Sequence, residues 1–489
     1  MSNRLRAFWV ILHFLGVMGL SLGQVGMSRQ EDPLPQLPDT TYFLSLSEFL
    51  EGVLQYHPVA KQSDLLAQEA RFALQSARGG FDPVLYGYYD DKQFKESNYW
   101  RIFDGGISMP TQIGVEVKAG FLFQDGDFLN AERSIPSDGQ VVLGAKVPLG
   151  QGLLIDARRA ALQQAKIFQQ ENQIEQWLML NQLLYEASLS YWEWALAFSQ
   201  LELFDNAASA AQERFVALKN TFLAGDAAGI DTVEAFTQMQ QFIILRSEAE
   251  LATELSLISL NTFLWNMDSD PITLPAFVNP FPLEEGRYKG ELRFDDPQEL
   301  LIQLDKHPEI QKIQLKLASL EVDRRFKADK LKPKLDLNYN VLSNTVTEQE
   351  ISSTYSLSTE NYKWGLSLNF PLFLRRERGD LAQTKVKIRN NELYQENKFR
   401  ELGNKILAYA EQVQVLQEQV ALIEEQVANY SRLYQGEIQK FQAGESTLFL
   451  INSRQQKLIE AQQKQLDLMW KFRKAQTSLD WISGLLYTP

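Results

Sequence analysis

The stretch HPVAKQSDLLAQEARFALQSARGGFDP, residues 57–83, is followed 250 residues later by HPEIQKIQLKLASLEVDRRFKADKLKP, residues 307–333. Both stretches begin with a His-Pro pair and end with a proline at the same spacing, although the residues between differ. A repeat this long is not a solenoid unit, whose period is about 20 to 50 residues. The sequence therefore predicts a duplicated half-protein with internal pseudo-symmetry.

Each copy continues with the same order of features. An alternating stretch leads to a Pro-Leu pair, then to a long segment without proline, an aromatic-x-Ala-Gly turn and a shorter helical segment. The Pro-Leu pairs are Pro148-Leu149 and Pro371-Leu372, and the turns are Phe222–Gly225 and Phe441–Gly444. We therefore predict a first repeat at 45–265, an inter-repeat linker at 266–296 and a second repeat at 297–486.

The N-terminus has the features of a secretory signal peptide. Arg4 and Arg6 precede the apolar stretch Ala7–Leu20, and the small residues Ser21 and Gly23 suit a cleavage site. We predict a signal peptide at 1–23 and a proline-rich leader at 24–44. An uncleaved anchor or a buried helix is the alternative interpretation of the same apolar stretch, which is short for a membrane span.

Composition excludes several functional classes. The net charge of −14 argues against a nucleic-acid partner, which usually requires a basic face. The absence of cysteine excludes disulfides, thiol catalysis and cysteine-bound metals. After the signal peptide the only histidines are His57 and His307, which the repeat explains as equivalent helix-junction residues. We therefore expect no enzyme activity, no catalytic residues, no metal and no cofactor.

Four segments alternate between apolar and polar residues, as strands with one apolar face do. They lie near 112–124, 139–148, 335–343 and 362–371. Their lengths match tilted transmembrane strands, although a half-exposed soluble sheet gives the same pattern. No later stretch approaches 18 apolar residues, so membrane insertion would have to use strands. Residues 84–111 are extra relative to the second copy, and the pattern does not place them.

The helical segments show sustained heptad spacing. We predict long helices at 151–222 and 375–441 and shorter ones at 230–265 and 446–485. In the second long helix apolar residues alternate in steps of four and three, which predicts a coiled-coil seam. The seam residues there are Ile406, Tyr409, Val413, Leu416, Val420, Ile423, Val427, Tyr430 and Tyr434, and the first long helix has an equivalent seam. By length, each long helix can pack beside two shorter helices stacked end to end.

This organisation resembles the TolC-like outer-membrane efflux proteins over residues 42–486. The resemblance is carried by Leu-Ser-Glu-Phe-Leu at 46–50, the duplicated His-Pro and proline, the Pro-Leu pairs and the Ala-Gly turns. It implies a mainly α fold with transmembrane β: four membrane strands per chain, and a homotrimer with a 12-stranded β-barrel and an α-helical periplasmic tunnel. Four strands alone cannot close a barrel, so several chains are needed on physical grounds as well.

The resemblance also implies location and partners. The chain would lie in the outer membrane of a Gram-negative bacterium, surrounded by outer-membrane lipid and extending into the periplasm. A periplasmic adaptor protein and an inner-membrane transporter would deliver substrates to it, making the chain the exit duct of a tripartite efflux or secretion system. The alternative is a secreted or periplasmic coiled-coil scaffold or adaptor, whose strands form a small soluble sheet.

The resemblance assigns the two Ala-Gly turns to the periplasmic tip, where the adaptor contacts the channel. The tip residues are Phe222, Ala224, Gly225, Phe441, Ala443 and Gly444. Family members carry acidic residues shortly after these glycines, and Asp231 matches that position whereas Leu450 in the second copy does not. Asp226, Glu234 and Glu445 could add charge at the entrance. Stabilisation of helix N-termini by the same carboxylates is the alternative interpretation.

Overall fold

The computed structural model describes residues 42–130, 132, 134–275, 277–283, 297–348 and 352–487. The predicted signal peptide at 1–23 and leader residues 24–41 lie outside these ranges. The elements in chain order are β1 (Tyr42–Leu44), α1 (Leu46–Tyr56), α2 (Pro58–Gly79), β2 (Val84–Phe94), β3 (Ser97–Pro110), β4 (Glu116–Asp125), β5 (Gln140–Pro148), α3 (Ala157–Leu223), α4 (Gly229–Asn261), β6 (Val278–Pro280), α5 (Pro297–Ile302), a 3-10 turn (Leu304–Lys306), α6 (Pro308–Asp329), β7 (Lys334–Glu348), β8 (Ser352–Asn369), α7 (Arg375–Gln442) and α8 (Leu448–Ile482).

The chain forms two compact units. The helical unit comprises the described parts of Met1–Leu65, Glu175–Ile310 and Lys398–Pro489. The sheet unit comprises the described parts of Leu66–Ile174 and Gln311–Asn397. Among the described residues no helix has both the length and the apolar character needed to cross a membrane.

Aromatic side chains from two helices meet in the main core of the helical unit. Tyr191 of α3 is fully buried, stacks on Phe49 of α1 with ring centroids 5.9 Å apart, and donates a hydrogen bond to the Leu44 carbonyl at 2.8 Å. Helix α1 begins at a capping box, in which Ser45 and Glu48 each accept a hydrogen bond from the other's backbone N–H. These contacts fix the entry of the chain into the first repeat.

The coiled-coil seams are confirmed along part of their length. Leu402, Ile406, Val413, Leu416 and Ile423 of α7 are buried, as the heptad spacing predicts. Toward the end of α7 the seam residues Val427, Tyr430 and Tyr434 are only partly buried within the chain. In the equivalent part of α3, burial likewise stops after Ala211, so the ends of both long helices leave seam surface uncovered within one chain.

The segment between the repeats, predicted as a linker at 266–296, contributes to the core. Its described residues include Ile272, Leu274, Val278 and Leu283, all buried in the same cluster as Tyr191. Strand β6 pairs in parallel with β1, which occupies the last three residues of the predicted leader. The linker and leader are therefore ordered where they pack against the first repeat.

The sheet unit contains one antiparallel sheet with the strand order β2-β3-β4-β5-β7-β8. The expectation of four strands per chain is wrong for this sheet, which has six. The four predicted strands correspond to β4, β5, β7 and β8, and segment 84–111 supplies β2 and β3. Residues 112–115, predicted to begin a strand, instead form the turn before β4, with Gly114 at φ +92°.

Strands β2 and β3, which the sequence pattern did not place, were hard to predict because their alternation is interrupted. Strand β2 mixes aromatic and acidic residues in YGYYDDK, and β3 contains the pair Gly105-Gly106, neither of which gives a clean apolar face. Comparison of equivalent positions in the two copies locates the insertion. Strand β2 follows Pro83 in the first copy, and β7 follows Pro333 in the second. Strand β5 ends at Pro148, and β8 ends shortly before Pro371. The inserted element is thus the hairpin of β3 and β4.

Candidate functional site at the helical hairpin tips

The helical unit contains two helical hairpins, α3–α4 and α7–α8, whose turns have the same backbone geometry. In the first, the Gly225 N–H donates to the Phe222 carbonyl at 2.9 Å, and the Asp226 N–H donates to the Thr221 carbonyl at 3.0 Å. In the second, Gly444 donates to Phe441 at 3.0 Å and Glu445 to Lys440 at 2.9 Å. This pair of bonds defines the Schellman motif, which ends a helix at a residue in the left-handed conformation.

Glycine is needed at both turns because the backbone there has positive φ. Gly225 has φ +89° and Gly444 has φ +79°, and an added Cβ at either position would meet open space. The cost of another residue would therefore come from backbone strain rather than from a steric clash. Gly225 and Gly444 each follow the last turn of a long helix, and the contact of these turns with another protein stays a prediction.

The tips expose apolar side chains. Phe222 and Leu223 are exposed at the end of α3, and Ile230 follows at the start of α4. At the second tip Phe441 and Phe449 are exposed. Ala224 and Ala443 occupy equivalent turn positions, where each backbone N–H donates to the carbonyl four residues earlier. The result is a pair of turns with apolar surface and a small alanine directly before each glycine.

The four candidate acidic residues occupy three kinds of position. Asp226 and Glu445 are equivalent, since each directly follows a tip glycine and is exposed. Asp231 lies half-buried in the first turn of α4, where the preceding Ala228 makes no side-chain cap. Glu234 lies one turn further and accepts a hydrogen bond from the Asn452 amide of α8 at 2.9 Å. Glu234 therefore joins the two hairpins, whereas the other three stand at the turns or helix starts.

Sequence reasoning missed a polar cluster near the tips, centred on Arg214 of α3. One terminal nitrogen of its guanidinium donates to the side-chain oxygens of Gln455 at 2.6 Å and Asn452 at 3.0 Å, both on α8. The same nitrogen lies 3.5 Å from the Gln238 oxygen of α4, and the other donates to the Tyr434 hydroxyl of α7 at 2.8 Å. One cation thus connects all four helices.

The signal for this cluster was present but incomplete. Gln455 is buried between Leu448, Ile451 and Leu458 on α8, so a polar residue occupies a core position of the heptad. A polar residue at such a position commonly specifies helix register or partner choice. Its partner Arg214 is 241 residues away in sequence, and no spacing rule connects the two.

A second polar group stabilises the turn after α7. The Ser446 hydroxyl donates to Glu437 at 2.7 Å, and Arg454 of α8 lies 3.5 Å from the same carboxylate. The hydrogen bond from Ser446, with help from Arg454, lowers the pKa of Glu437 below its ordinary value. Glu437 therefore stays ionised and holds the second turn against both helices of its hairpin.

The two histidines are located at helix junctions, as the repeat predicts. His57 stacks on Phe263, just beyond the end of α4, with ring centroids 6.0 Å apart. His307 is buried and its Nε2 lies 2.9 Å from the carbonyl of Ile482, the last residue of α8. Nδ1 of each ring accepts the backbone N–H two residues on, from Val59 and Glu309 respectively. Among the described residues, no group of three or more potential ligand side chains is arranged to hold a metal ion.

The fold is that of known outer-membrane channels. The chain is similar to the open state of the MtrE outer membrane channel of Neisseria gonorrhoeae, with a TM-score of 0.64, 12% identity, and coverage of 94% of this chain and 95% of the other. It is also similar to VceC of Vibrio cholerae, with a TM-score of 0.60, 13% identity and coverage of 90% and 96%. The CmeC channel of Campylobacter jejuni gives a TM-score of 0.60, 12% identity and coverage of 95% and 93%. No curated protein matches the sequence.

The sequence itself carries a family signature. Residues 302–485, which include α6, β7, β8, α7 and α8, match the family model described as outer membrane efflux protein. Over this stretch the chain is similar to the outer membrane efflux protein family. That family consists of channel proteins, and the match agrees with the predicted location in the outer membrane of a Gram-negative bacterium, with an extension into the periplasm.

Proposed function

We propose that this protein is the outer-membrane exit duct of a tripartite efflux or secretion system and assembles as a homotrimer. The observation that carries the proposal is the open sheet. Within the described residues, β2 and β8 each have a strand neighbour on one side only. An open sheet edge in lipid would leave backbone N–H and C=O groups unpaired at a cost of several kcal/mol each. Pairing between copies of the chain removes both edges and closes a barrel.

The helical hairpin tips would form the periplasmic entrance and contact the adaptor protein. Exposed apolar residues at both turns, Phe222, Leu223 and Phe441, support this part of the proposal, because apolar side chains at a turn are suited to burial in a partner. The near-identical Schellman turns would present two equivalent docking points per chain, or six in a trimer. An inner-membrane transporter would then supply substrates through the adaptor.

Acidic residues at the entrance would favour cations. Asp231, Asp226 and Glu445 are at or near the turns, and a three-fold assembly would repeat each carboxylate around the axis. Rings of carboxylates select for cations in other channels. Glu234 contributes less in this proposal, because its carboxylate accepts a hydrogen bond from Asn452 between the helices.

The first experiment is to reconstitute detergent-extracted protein in planar bilayers and to measure its mass by native mass spectrometry. We expect a trimer and a stable, cation-favouring pore. Protein that is released with the periplasmic contents without detergent would instead indicate the coiled-coil scaffold. A monomer in detergent that forms no pore would also contradict the proposal.

The entrance charge is tested by Asp231→Asn. Removing one carboxylate per chain should lower the cation-to-anion permeability ratio severalfold, whereas Glu254→Gln, an exposed position further along the same helix, should leave the ratio unchanged. An unchanged ratio in Asp231→Asn, measured in a pore of normal conductance, would exclude Asp231 from the selective constriction.

A further inference from the structure

The inserted hairpin of β3 and β4, residues 97–125, gives the first copy of the repeat two strands that the second copy lacks. We propose that this hairpin is part of the lipid-facing wall, so that its partner is the hydrocarbon of the outer membrane and each chain contributes six strands to the barrel. The inference rests on the proposed function, and a trimer would then enclose its lumen with eighteen strands rather than twelve.

The register of the sheet supports this proposal directly. One row of laterally paired residues crosses all six strands on a single face: Leu85, Ile107, Ala119, Leu143, Val341 and Tyr362. Every member of this row is apolar or aromatic. The two residues from the inserted hairpin, Ile107 and Ala119, continue the surface formed by β5, β7 and β8 without a polar break. Leu85, Ile107 and Tyr362 of this row are exposed within the chain, and apolar side chains on an exposed face are suited to contact with lipid.

The opposite face is polar along the adjacent row. Ser108, Lys118, Gly144, Asn340 and Lys363 are paired laterally from β3 to β8, with only the edge residue Val84 of β2 apolar. The two faces of the inserted hairpin therefore have the same polarity as the two faces of the other strands. Apolar outside and polar inside is the pattern of a transmembrane barrel with an aqueous lumen.

The height of the apolar surface on the hairpin also fits a bilayer. From Met109 to Phe103 strand β3 rises about 20 Å along its own axis, and at the usual tilt of about 40° this covers about 15 Å of membrane thickness, within the apolar band. The surface ends at an aromatic row of Tyr89, Phe103 and Phe123. A charged row of Asp91, Arg101 and Asp125 follows on the same face, and Arg101 lies 3.6 Å from Asp91. Aromatic residues next to charges mark the edge of the roughly 25 Å apolar band in outer-membrane barrels.

The hairpin is also packed into the sheet by a side chain that crosses it. A Cβ added to Gly106 or Gly120, which pair laterally between β3 and β4, would lie about 3 Å from the Tyr86 hydroxyl of β2. The Tyr86 side chain therefore extends over both glycines on the polar face. Neighbouring strands of an antiparallel sheet run in opposite directions. An insertion of two strands therefore leaves the chain at the same end of the sheet, where α3 begins.

The chain has no native cysteine, so single-cysteine variants give a clean test. Ile107→Cys and Lys118→Cys probe the two faces of the inserted hairpin. Tyr362→Cys and Lys363→Cys probe the same two rows on β8, which belongs to the part of the chain that matches the family. The reagent is a charged, water-soluble maleimide applied to isolated outer membranes. The labelling rate of each variant in the membrane is divided by its labelling rate after solubilisation and unfolding.

We expect Lys118→Cys and Lys363→Cys to react at least tenfold faster than Ile107→Cys and Tyr362→Cys. Fast labelling of Ile107→Cys with protection of Tyr362→Cys would place the hairpin outside the lipid and overturn this inference alone. Fast labelling of both would overturn the membrane wall itself and with it the proposed function.

A second readout detects lipid rather than mere protection. A bimane fluorophore attached in detergent to Ile107→Cys should be quenched in vesicles of phospholipid brominated on its acyl chains, to the same extent as one on Tyr362→Cys. Protection of Ile107→Cys without quenching would mean that protein covers this face, which contradicts lipid contact.

Discussion

In the part of the chain that the structure describes, the first copy of the repeat has four strands between its helices and the second has two, yet the helical parts of the two copies are closely matched. Both hairpins end in the same Schellman turn, and both His-Pro junctions place a histidine against the end of the shorter helix. The sheet accepts an inserted hairpin because each strand is stabilised by its lateral neighbours. The helices accept less change because their length and turn geometry are fixed at both ends.

Within the matched helices, some equivalent positions carry different side chains in the two copies. Ile310 on α6 is fully buried where its equivalent on α2 is Ala60. Arg214 on α3 corresponds to Leu433 on α7, and Ala217 corresponds to Gly436. At each of these positions one copy has a residue that the other lacks, and the contribution of that residue to stability can be measured. The test is to replace it with the residue of the other copy.

The largest effect is expected from Ile310→Ala, which gives the second junction the side chain of the first. Removing a fully buried isoleucine should destabilise the protein by about 2–5 kcal/mol through lost burial and the cavity that remains. Thermal unfolding of the detergent-extracted protein measures the change. The control is Ile302→Ala, an exposed position nearby, which should change stability by less than about 0.5 kcal/mol. Equal effects of the two variants would show that Ile310 is not part of a closed core.

Arg214→Leu makes the first copy resemble the second at the four-helix polar cluster. The buried oxygens of Gln455 and Asn452 would lose their charged donor, at an expected cost of about 1–3 kcal/mol. Hydrogen exchange should accelerate in the tip halves of both hairpins, because Arg214 connects all four helices. Arg246→Leu is the matched control, since its exposed ion pairs with Asp205 and Glu250 are worth little. Faster exchange confined to α3 would contradict a connecting role.

The tip glycines should respond equally, since their geometry is the same. Gly225→Ala and Gly444→Ala each force an alanine into positive φ, at an expected cost of about 1–2 kcal/mol in local stability. Gly436→Ala is the contrasting variant within α7, where the side chain would meet open space. It should stabilise the helix by about 0.5–1 kcal/mol, because glycine weakens a helix interior. Hydrogen exchange at the turns and in α7 measures the loss of local stability in the two tip variants and the gain in Gly436→Ala. Unequal losses of stability at Gly225 and Gly444 would show that the two tips are not equivalent.

The smallest expected effect is on the pH dependence of stability, to which His57 and His307 should contribute differently. Burial lowers the pKa of His307, with the nearby Lys398 adding to the shift and the Ile482 carbonyl and Glu309 opposing it. Burial also lowers the pKa of the less buried His57. A histidine whose folded pKa is depressed contributes full stability above its unfolded pKa of about 6.5 and loses it as the pH falls below that value.

Thermal stability should therefore decrease between pH 7 and pH 5, and His307→Gln should flatten that decrease more than His57→Gln. The matched pair controls for the loss of any histidine at a junction. A pH profile unchanged by His307→Gln would mean that carboxylates alone determine the acid sensitivity.

Much of this fold could be predicted from periodicity alone. The 250-residue displacement identified the duplication, the heptad steps located residues such as Leu402 and Val413 in the core, and the Ala-Gly turns located both helix ends. These features are local or periodic, because helix and strand geometry repeats every few residues and glycine is required wherever φ is positive.

Other features were decided only by tertiary structure. The pairing of β2 with β3 depends on neighbours that compensate for Gly105 and Gly106, and the cluster around Arg214 joins residues from four separate helices. The segment after α4 reads as a linker in sequence, but Ile272 and Val278 are buried in the main core, and β6 pairs with β1. The free energy of each feature comes from contacts between residues far apart in sequence. No spacing within one segment records such contacts, so the sequence by itself determined the duplicated helical frame, and packing decided how the sheet and the tips were completed.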